Sequence, residues 1–290
     1  ELIKVEYEAL PVITDVEEAI KPEAWPIHEG GNIVGISRAE AGNVDEAFQE
    51  CDYVFEDRYT TQAIHHAAIE PHVAIADFAP NGKLTIYSPC QNTFAFRVIM
   101  SRIFGLSYNR IRMVAPAIGG AFGGKLEVTV EPVAAVLSQM TGKPVKVEYN
   151  RKESILSTRV RHASVNYVKT GFMKDGTLKA VDFKVYTNTG AYASSALNVS
   201  GAMSHKVFKA YKIDHMRFQC QPVYTNTEIA GAMRGYGSPQ VYFGWQRQMQ
   251  KIADFRHMDM AALQMKNMVD PDRCDPIFHN PHGNSRPKDW

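Results

Sequence analysis

The sequence has little of what would assign a function from composition alone. Its 32 lysines and arginines nearly balance 31 aspartates and glutamates, so the net charge of +1 offers no basic surface for nucleic acid. No apolar run approaches the roughly 20 residues that span a bilayer, and the N-terminal ELIKVEYEALP lacks the basic and apolar regions of a secretory signal. We therefore expect a cytoplasmic protein that binds neither nucleic acid nor a membrane.

Cysteine is also scarce, and its spacing excludes several kinds of metal site. The four cysteines stand singly, at Cys51, Cys90, Cys220 and Cys274. Without a C-x-x-C pair, the chain has no ligands for a zinc ribbon, a thioredoxin-type motif or an iron–sulfur cluster of its own. Histidines cluster in HHAAIEPH, but the zincin spacing H-E-x-x-H is absent and Pro71 would interrupt a helix. This segment is therefore expected to hold structural histidines.

The helical segments carry clear start and stop signals. Apolar residues at helical spacing predict helices over 92–105 and 239–255, and a third begins near Pro132. Gly105 and Gly142 stand where the first and third of these helices should end.

Strand patterns lie between the helices. VAIADF and KLTIYS are joined by the turn signal Pro80-Asn81-Gly82, a long hairpin turns at residues 174–176, and another strand runs near 213–223. The chain also opens in a strand-like alternation. Helices and strands mixed in this way predict an α+β fold of mixed sheets with packed helices. We expect residues 1–45 to be a small appendage and linker, and residues 46–290 to form one larger domain.

The most glycine-dense stretch is AIGGAFGGKLE, residues 117–127. It matches the G-x-x-x-x-G-K core of a phosphate-binding loop and follows a strand pattern, but Leu126 stands where that motif needs a hydroxyl for Mg²⁺. A nucleoside triphosphatase is therefore disfavoured. Small residues would still let main-chain N–H groups approach an anion, and a following helix would add its N-terminal dipole. A tight structural turn without a ligand is the alternative.

Two further segments combine polar side chains with turns. In SPCQNTF, Gln91 lies where a strand ends and a helix begins, a position that suits either a ligand-facing amide or a helix cap. In AMRGYGSPQ, Arg234 and Tyr236 lie between glycines before a helix. An arginine there could bind an oxyanion and the ring could stack on a planar ligand, or the segment could be only a structural turn.

Taken together, these segments resemble the molybdenum hydroxylases, the family of xanthine dehydrogenases and aldehyde oxidoreductases, in their molybdopterin-binding subunit. Five motifs of that family occur in the family's order: EPH (70–72), QNT (91–93), GGAFGGK (119–125), GFMKDGTL (171–178) and RGYGSPQ (234–240). The resemblance covers roughly residues 50 to 270. It implies that residues 46–290 correspond to the first molybdopterin-binding domain, with 1–45 as the remnant of a small N-terminal domain and linker.

The resemblance also implies roles for individual residues. Gln91 would hydrogen-bond an oxo ligand of molybdenum, Arg234 would lie beside the metal, and Tyr236 would face a planar substrate. The loop would present its main chain to the cofactor through Phe122 and the neighbouring Gly119, Gly120, Ala121 and Gly123. The pterin dithiolene holds the molybdenum in this family, so no side chain of this chain is expected to ligate it. The implied reaction is hydroxylation of an electron-poor carbon with oxygen derived from water.

The implied cofactor is molybdopterin, with the cytosine dinucleotide form as one alternative. Electrons would leave through a 2Fe-2S cluster and FAD on partner subunits, and the catalytic glutamate would come from a second molybdopterin-binding domain or chain. We therefore expect the isolated chain to be inactive, whether it is a natural split subunit or a fragment. A noncatalytic assembly or binding module that kept the fold is the alternative function.

Two departures from the family bear on the small-molecule substrate. Leu126 stands where the xanthine branch has a glutamate, and Ala202 aligns with its purine-binding arginine. Without these charged groups the polar atoms of xanthine would go unmatched, so xanthine is not the expected substrate. The carbon monoxide branch has a cysteine after the arginine, where this chain has Gly235. An aldehyde, an aromatic N-heterocycle or an aromatic thioester remains.

Overall fold

The computed structural model describes residues 4–207 and 209–269, which form two compact units. The described parts of the first unit lie within Glu1–Gln62, His162–Thr227 and Tyr236–Trp290, and the second comprises Ala63–Arg161 and Glu228–Gly235. Both units combine sheets with helices, which confirms the predicted α+β class. Strands and helices are numbered below in chain order. Within the described residues, no helix is long and apolar enough to cross a membrane.

A five-stranded sheet forms the centre of the first unit. Its strands are β1 (Ser37–Ala41), β2 (Tyr53–Thr61), β9 (Ser164–Phe172), β10 (Leu178–Gly190) and β11 (His215–Tyr224). They lie in the order β1-β11-β10-β9-β2, with β10 and β11 parallel and the other pairs antiparallel. The predicted hairpin joins β9 to β10, and its turn is closed by the N–H of Met173 donating to the carbonyl of Thr177 at 2.9 Å.

Helices pack against this sheet in two separate apolar clusters. The unit contains α1 (Val16–Ala19), α2 (Val44–Gln49), α6 (Ala196–Val207), α7 (Ser238–Arg256) and α8 (Met260–Asn267). The predicted helix over 239–255 is thus confirmed as α7. Its Trp245 is fully buried in one cluster with Phe183 of β10 and Phe218 of β11, which anchors α7 to the sheet.

A four-stranded sheet organises the second unit. Its strands are β4 (Val73–Phe78), β5 (Leu84–Tyr87), β6 (Ile111–Val114) and β7 (Val145–Glu148), in the order β6-β5-β4-β7. Only β5 and β6 run parallel. The predicted turn between β4 and β5 is confirmed, and Gly82 adopts φ +76° there. A small second sheet contains β3 (Ile64–His65), β8 (Val160–Arg161) and β12 (Ala230–Gly231).

Two helices of the second unit end where the sequence predicts, and two further helical segments are not predicted. They are α3 (Thr93–Phe104), α4 (Glu131–Thr141), α5 (Arg151–Ser157) and a 3₁₀ turn at Tyr108–Arg110. Gly105 and Gly142 cap α3 and α4 in the left-handed conformation, with φ of +62° and +65°. Ala134 and Ala135 of α4 are fully buried, and their small side chains let the helix lie close to the sheet.

The N-terminal part of the chain differs from one expectation. Residues 4–15 form no strand, although their sequence alternates, because a strand also requires a pairing partner. In contrast, β1 pairs with β11 along its whole length. The division at residue 45 stays a prediction. Cys274 and the proline-rich tail lie outside the described residues.

Candidate functional site

The glycine loop, residues 117–127, connects β6 to α4 in the second unit and turns on three residues with positive φ. These are Gly120 (+106°), Phe122 (+53°) and Gly123 (+104°). Glycine adopts this region freely, whereas an L-residue such as phenylalanine pays about 1–2 kcal/mol for it. The Phe122 side chain is 46% exposed, so burial of the ring offsets little of this cost. The loop therefore holds the main chain of Phe122 in the left-handed conformation at an energetic cost.

Gly123 is required by a close approach between two main-chain segments. A Cβ at this position would lie 2.5 Å from the carbonyl oxygen of Ala232 and 2.9 Å from the Cα of Met233. One residue further along, the N–H of Arg234 donates to the carbonyl of Phe122 at 2.8 Å. The glycine loop and residues 232–234 are thus held together through their backbones.

Gln91 is fixed against the same loop by its side-chain oxygen. Its Oε1 accepts the N–H of Gly123 at 2.9 Å and that of Lys125 at 3.3 Å. These two donors fix the orientation of the amide, so its Nε2 is the end directed away from the loop. That Nε2 makes no hydrogen bond to any residue that the structure describes. The next residue, Asn92, caps α3 by accepting the N–H of Ala95, so the helix cap is Asn92 and not Gln91.

Arg234 is held by its main chain, and its side chain points outward. Besides the N–H contact with Phe122, its carbonyl accepts a hydrogen bond from Nη2 of the buried Arg161 at 2.7 Å. Burial lowers the pKa of the Arg161 guanidinium. The Arg234 guanidinium is exposed and has no hydrogen bond or ion pair within the described residues. It is therefore available to an anionic ligand.

The structure adds a salt bridge to the site that the sequence does not predict. Glu70 of the EPH motif pairs with Lys125, whose side chain is only 4% exposed. The same carboxylate accepts the N–H of Gly119 at 3.0 Å. Glu70 belongs to the EPH motif and Lys125 to the GGAFGGK motif. A buried lysine requires an acidic partner, and this requirement is the signal that could have identified Glu70.

The histidines of HHAAIEPH bond main-chain carbonyl groups around the loop. His72 contacts the carbonyl of Gly124 through Nε2 at 3.0 Å, and His66 contacts that of Ala232 at 2.7 Å. Burial lowers the pKa of both imidazoles, against the opposing effect of these carbonyls. Within the described residues, no group of three or more histidine, cysteine or acidic side chains is arranged to hold a metal ion.

The helix dipole expected after the loop is not available to a loop ligand. Residues 126–130 separate Lys125 from the start of α4 at Glu131. The carboxylate of Glu131, itself buried, already lies in the first turn of that helix, where it accepts the hydroxyl of Ser88 at 2.6 Å and the N–H of Thr129 at 2.7 Å. The Glu131 carboxylate therefore occupies the position at this helix N-terminus where negative charge is favourable, in place of an external anion.

Tyr236 has the same kind of turn in the first unit. Gly235, Tyr236 and Gly237 all have positive φ, at +92°, +44° and +93°. Lys206 of α6 donates to the Tyr236 carbonyl at 2.8 Å, and its Nζ lies 5.6 Å from the centre of the tyrosine ring. Burial lowers the pKa of this lysine. The contact orients the ring by a hydrogen bond and a cation–π interaction.

The predicted site residues thus fall in both units. Gln91, Phe122 and Arg234 are joined by the contacts above in the second unit, which also holds the partly buried Leu126. Tyr236 and the partly buried Ala202, on α6, belong to the first unit.

Comparison with known proteins gives a family match and close relatives. The model of the molybdopterin cofactor-binding domain matches residues 27–268. The chain is 34% identical over 278 residues to the xanthine dehydrogenase molybdenum-binding subunit of Escherichia coli O157:H7, covering 96% of this chain and 37% of that protein. It is 35% identical over 265 residues to the nicotinate dehydrogenase large molybdopterin subunit of Eubacterium barkeri, covering 91% of this chain and 62% of that subunit.

A solved structure has the same fold. The aldehyde oxidoreductase of Desulfovibrio gigas superposes with a TM-score of 0.87 and 29% identity, covering 94% of this chain and 30% of that one. The chain therefore spans about a third to three fifths of the length of these relatives.

Proposed function

The chain belongs to the family of molybdopterin cofactor-binding domains, and we propose that it forms the molybdopterin-binding part of a molybdenum hydroxylase acting on an aldehyde or an aromatic N-heterocycle. When bound, the molybdenum cofactor supplies the two-electron oxidation of an electron-poor carbon with oxygen derived from water. The relatives named above are a xanthine dehydrogenase subunit, a nicotinate dehydrogenase subunit and an aldehyde oxidoreductase, which supports this reaction class.

The single observation that carries the proposal is the state of the Gln91 amide. Both of its oxygen contacts go to the glycine loop, which leaves the Nε2 group as an oriented donor with no partner in the described part of the chain. An oriented amide donor suits an oxygen ligand of a metal. The exposed Arg234 guanidinium, tied to the same loop through its N–H, adds a positive charge that suits an anionic centre.

The other proposed roles follow from backbone geometry. The left-handed turn of the glycine loop lets the main chain of Phe122 contact the cofactor, with Gly119, Gly120, Ala121 and Gly123 around it. The cofactor brings its own sulfur ligands, so the residues present fit it without a cluster of metal-binding side chains. Tyr236, whose ring is held by Lys206, would contact the face of a planar substrate.

The substrate proposal rests on two apolar positions. Leu126 and Ala202 carry no charge where a purine site needs an acid and a base, which supports an aldehyde or a less polar heterocycle in place of xanthine. The relatives at similar identity include a xanthine dehydrogenase subunit and a nicotinate dehydrogenase subunit, so a comparison of turnover on xanthine and on an N-heterocycle tests this choice.

The partners are proposed from the length of the relatives. This chain matches 37% of the xanthine dehydrogenase subunit, so further polypeptide contributes to the enzyme in that relative. We propose that a second molybdopterin-binding chain or domain supplies the catalytic glutamate, and that a 2Fe-2S subunit and an FAD subunit accept the electrons. The name of the nicotinate dehydrogenase large molybdopterin subunit supports a division among subunits. The cytosine dinucleotide form of the cofactor and a cytoplasmic location belong to the same proposal.

Metal analysis tests the proposal directly. The native complex should contain about one molybdenum per copy of this chain, and the isolated chain should contain far less. A native complex without molybdenum would overturn the enzyme function and favour the alternative, a noncatalytic module with the same fold. Retention of about one molybdenum by the isolated chain would overturn the need for a second polypeptide.

A further inference from the structure

Two residues of the site, Glu70 and Lys125, have no part in the chemistry proposed above. We propose that they are positioning residues that fix the Gln91 amide relative to the glycine loop; this inference rests on the proposed function. Glu70 belongs to the EPH motif and Lys125 ends the GGAFGGK motif.

Glu70 joins two positions of the glycine loop, Gly119 and Lys125. Its Oε2 accepts the N–H of Gly119 at 3.0 Å, and its Oε1 is bonded to the ammonium group of Lys125. The Glu70 N–H in turn donates to the Gly119 carbonyl at 3.1 Å, so Gly119 is held by two hydrogen bonds. A single carboxylate therefore determines the separation between residues 119 and 125.

Lys125 passes this constraint to Gln91. The Gln91 N–H donates to the Lys125 carbonyl at 2.9 Å, and the Lys125 N–H donates to the Gln91 side-chain oxygen at 3.3 Å. The main chain of Lys125 therefore contacts both the main chain and the side-chain oxygen of Gln91, and its side chain is tied to Glu70. A displacement of the ammonium group would move the N–H group that orients the Gln91 amide.

The burial of this salt bridge makes the constraint rigid. The Lys125 side chain is 4% exposed and that of Glu70 is 28% exposed. An ammonium group removed from water in this way depends on its partner, because little solvent can replace the carboxylate. The pair therefore has one stable arrangement in which both charges are satisfied.

A matched salt bridge in the same unit provides the control. Nε of Arg159 lies 3.2 Å from Oε2 of Glu127, and the two side chains are 22% and 27% exposed. This pair is also partly buried, and its Glu127 is the last residue of the glycine loop. Loss of a charge here would test whether any neighbouring salt bridge has the same effect.

The experiment uses the assembled, cofactor-loaded enzyme with Glu70→Gln, Lys125→Arg and the control Glu127→Gln. The first keeps the shape of the side chain and removes its charge, and the second keeps the charge and changes the geometry. The measurements are the Mo(V) electron paramagnetic resonance spectrum and kcat, each in wild-type and Gln91→Leu backgrounds. If Glu70 acts through Gln91, Glu70→Gln should alter the spectrum and lower kcat by about tenfold, with little further change when Gln91 is already lost.

The outcomes separate the two roles. Lys125→Arg should alter the spectrum in the same direction, and Glu127→Gln should leave it unchanged. Effects of Glu70→Gln that are equally large in the Gln91→Leu background would show a merely structural salt bridge and overturn the proposal, as would a wild-type spectrum in both loop variants. Failure of the unmodified complex to contain molybdenum would instead overturn the proposed function, a result that is read before any variant is made.

Discussion

Gln91 and Lys125 are hydrogen-bonded to each other in both directions, main chain to main chain at 2.9 Å and main chain to side chain at 3.3 Å. Gln91, which lies between β5 and α3, and Lys125, the lysine of the glycine loop, therefore behave as one element. The side-chain oxygen of Gln91 bonds the glycine loop, while its side-chain nitrogen has no hydrogen-bond partner in the described part of the chain. This division of the amide allows the two functions to be separated by mutation.

Gln91→Glu should separate them. The carboxylate still accepts the N–H groups of Gly123 and Lys125, so the melting temperature should change little. The Nε2 donor is lost, and we expect kcat of the assembled enzyme to fall by about 10²- to 10³-fold, as when one donor to a reacting centre is removed. Thermal unfolding and steady-state kinetics are the measurements. Full activity of this variant would place the metal elsewhere.

Gly123→Ala should destabilise the second unit. The new Cβ would lie 2.5 Å from the Ala232 carbonyl, and the residue would keep φ near +104°. We expect a loss of about 2–4 kcal/mol in the free energy of unfolding from the clash and the backbone strain together. Gly142→Ala is the control, because Gly142 has a φ of +65° but a Cβ there would have no atom within 4 Å. This variant should lose about 1 kcal/mol in the free energy of unfolding. Equal losses by urea denaturation would contradict the close approach.

His72→Gln should weaken the dependence of stability on pH. Burial lowers the pKa of His72 from 6.5, with His65 and His66 shifted the same way. Below about pH 6.5 the unfolded chain therefore binds more protons than the folded one, and stability falls as the pH decreases. A glutamine can still donate to the Gly124 carbonyl and does not titrate. Urea denaturation at neutral and mildly acidic pH should show a smaller loss for the variant than for wild type; identical losses would exclude His72 as a contributor.

Phe122→Gly should stabilise the isolated chain while impairing the assembled enzyme. Relief of the strain at φ +53° is worth about 1–2 kcal/mol, and the added freedom of glycine in the unfolded chain offsets about 0.5–1 kcal/mol of it. The net gain should lie between zero and about 1.5 kcal/mol in the free energy of unfolding. Calorimetry tests the gain, and cofactor content of the complex tests the loss. A lower melting temperature would mean that the ring contributes more packing than its exposure indicates.

Leu126→Glu combined with Ala202→Arg should raise activity toward xanthine. These changes introduce the acid and the base that the xanthine branch has at the aligned positions, and each well-placed polar pair contributes about 1–3 kcal/mol to discrimination. We expect kcat/KM for xanthine to rise by at least about tenfold over the unmodified enzyme, while that for an aldehyde falls. The swapped pair Leu126→Arg and Ala202→Glu is the control and should not gain activity on xanthine. A wild-type enzyme that already prefers xanthine would refute the substrate proposal.

The sequence predicts local structure in this chain better than it predicts the site. Gly105 and Gly142 end their helices as expected, because a left-handed cap is a local requirement that glycine meets. The N-terminal alternation fails as a strand for the opposite reason: pairing is a nonlocal condition that alternation does not contain. The expectation that the dipole of α4 would act on a ligand of the loop fails, because the carboxylate of Glu131 already lies in the first turn of that helix.

The contacts that build the site join distant parts of the chain. Glu70 is 55 residues from Lys125, and Gln91 is 32 residues from Gly123. No sequence periodicity relates such positions, so the order of the motifs along the chain does not show which of their side chains are in contact. Only the structure shows that two N–H groups of the glycine loop bond the oxygen of the Gln91 amide and leave its nitrogen without a partner in the described residues.

Phe122 and Tyr236 share an unusual feature: each is a bulky residue in the left-handed region next to glycines of positive φ. At the exposed Phe122, glycine would relax the backbone with little loss of packing, so selection for heat resistance favours a change there that we expect to impair the assembled enzyme. A screen for heat-resistant variants of this chain should therefore accept replacement of Phe122 by glycine. Such a screen should be run with the assembled complex and a turnover assay, because thermal survival alone would select proteins that fold better and bind nothing.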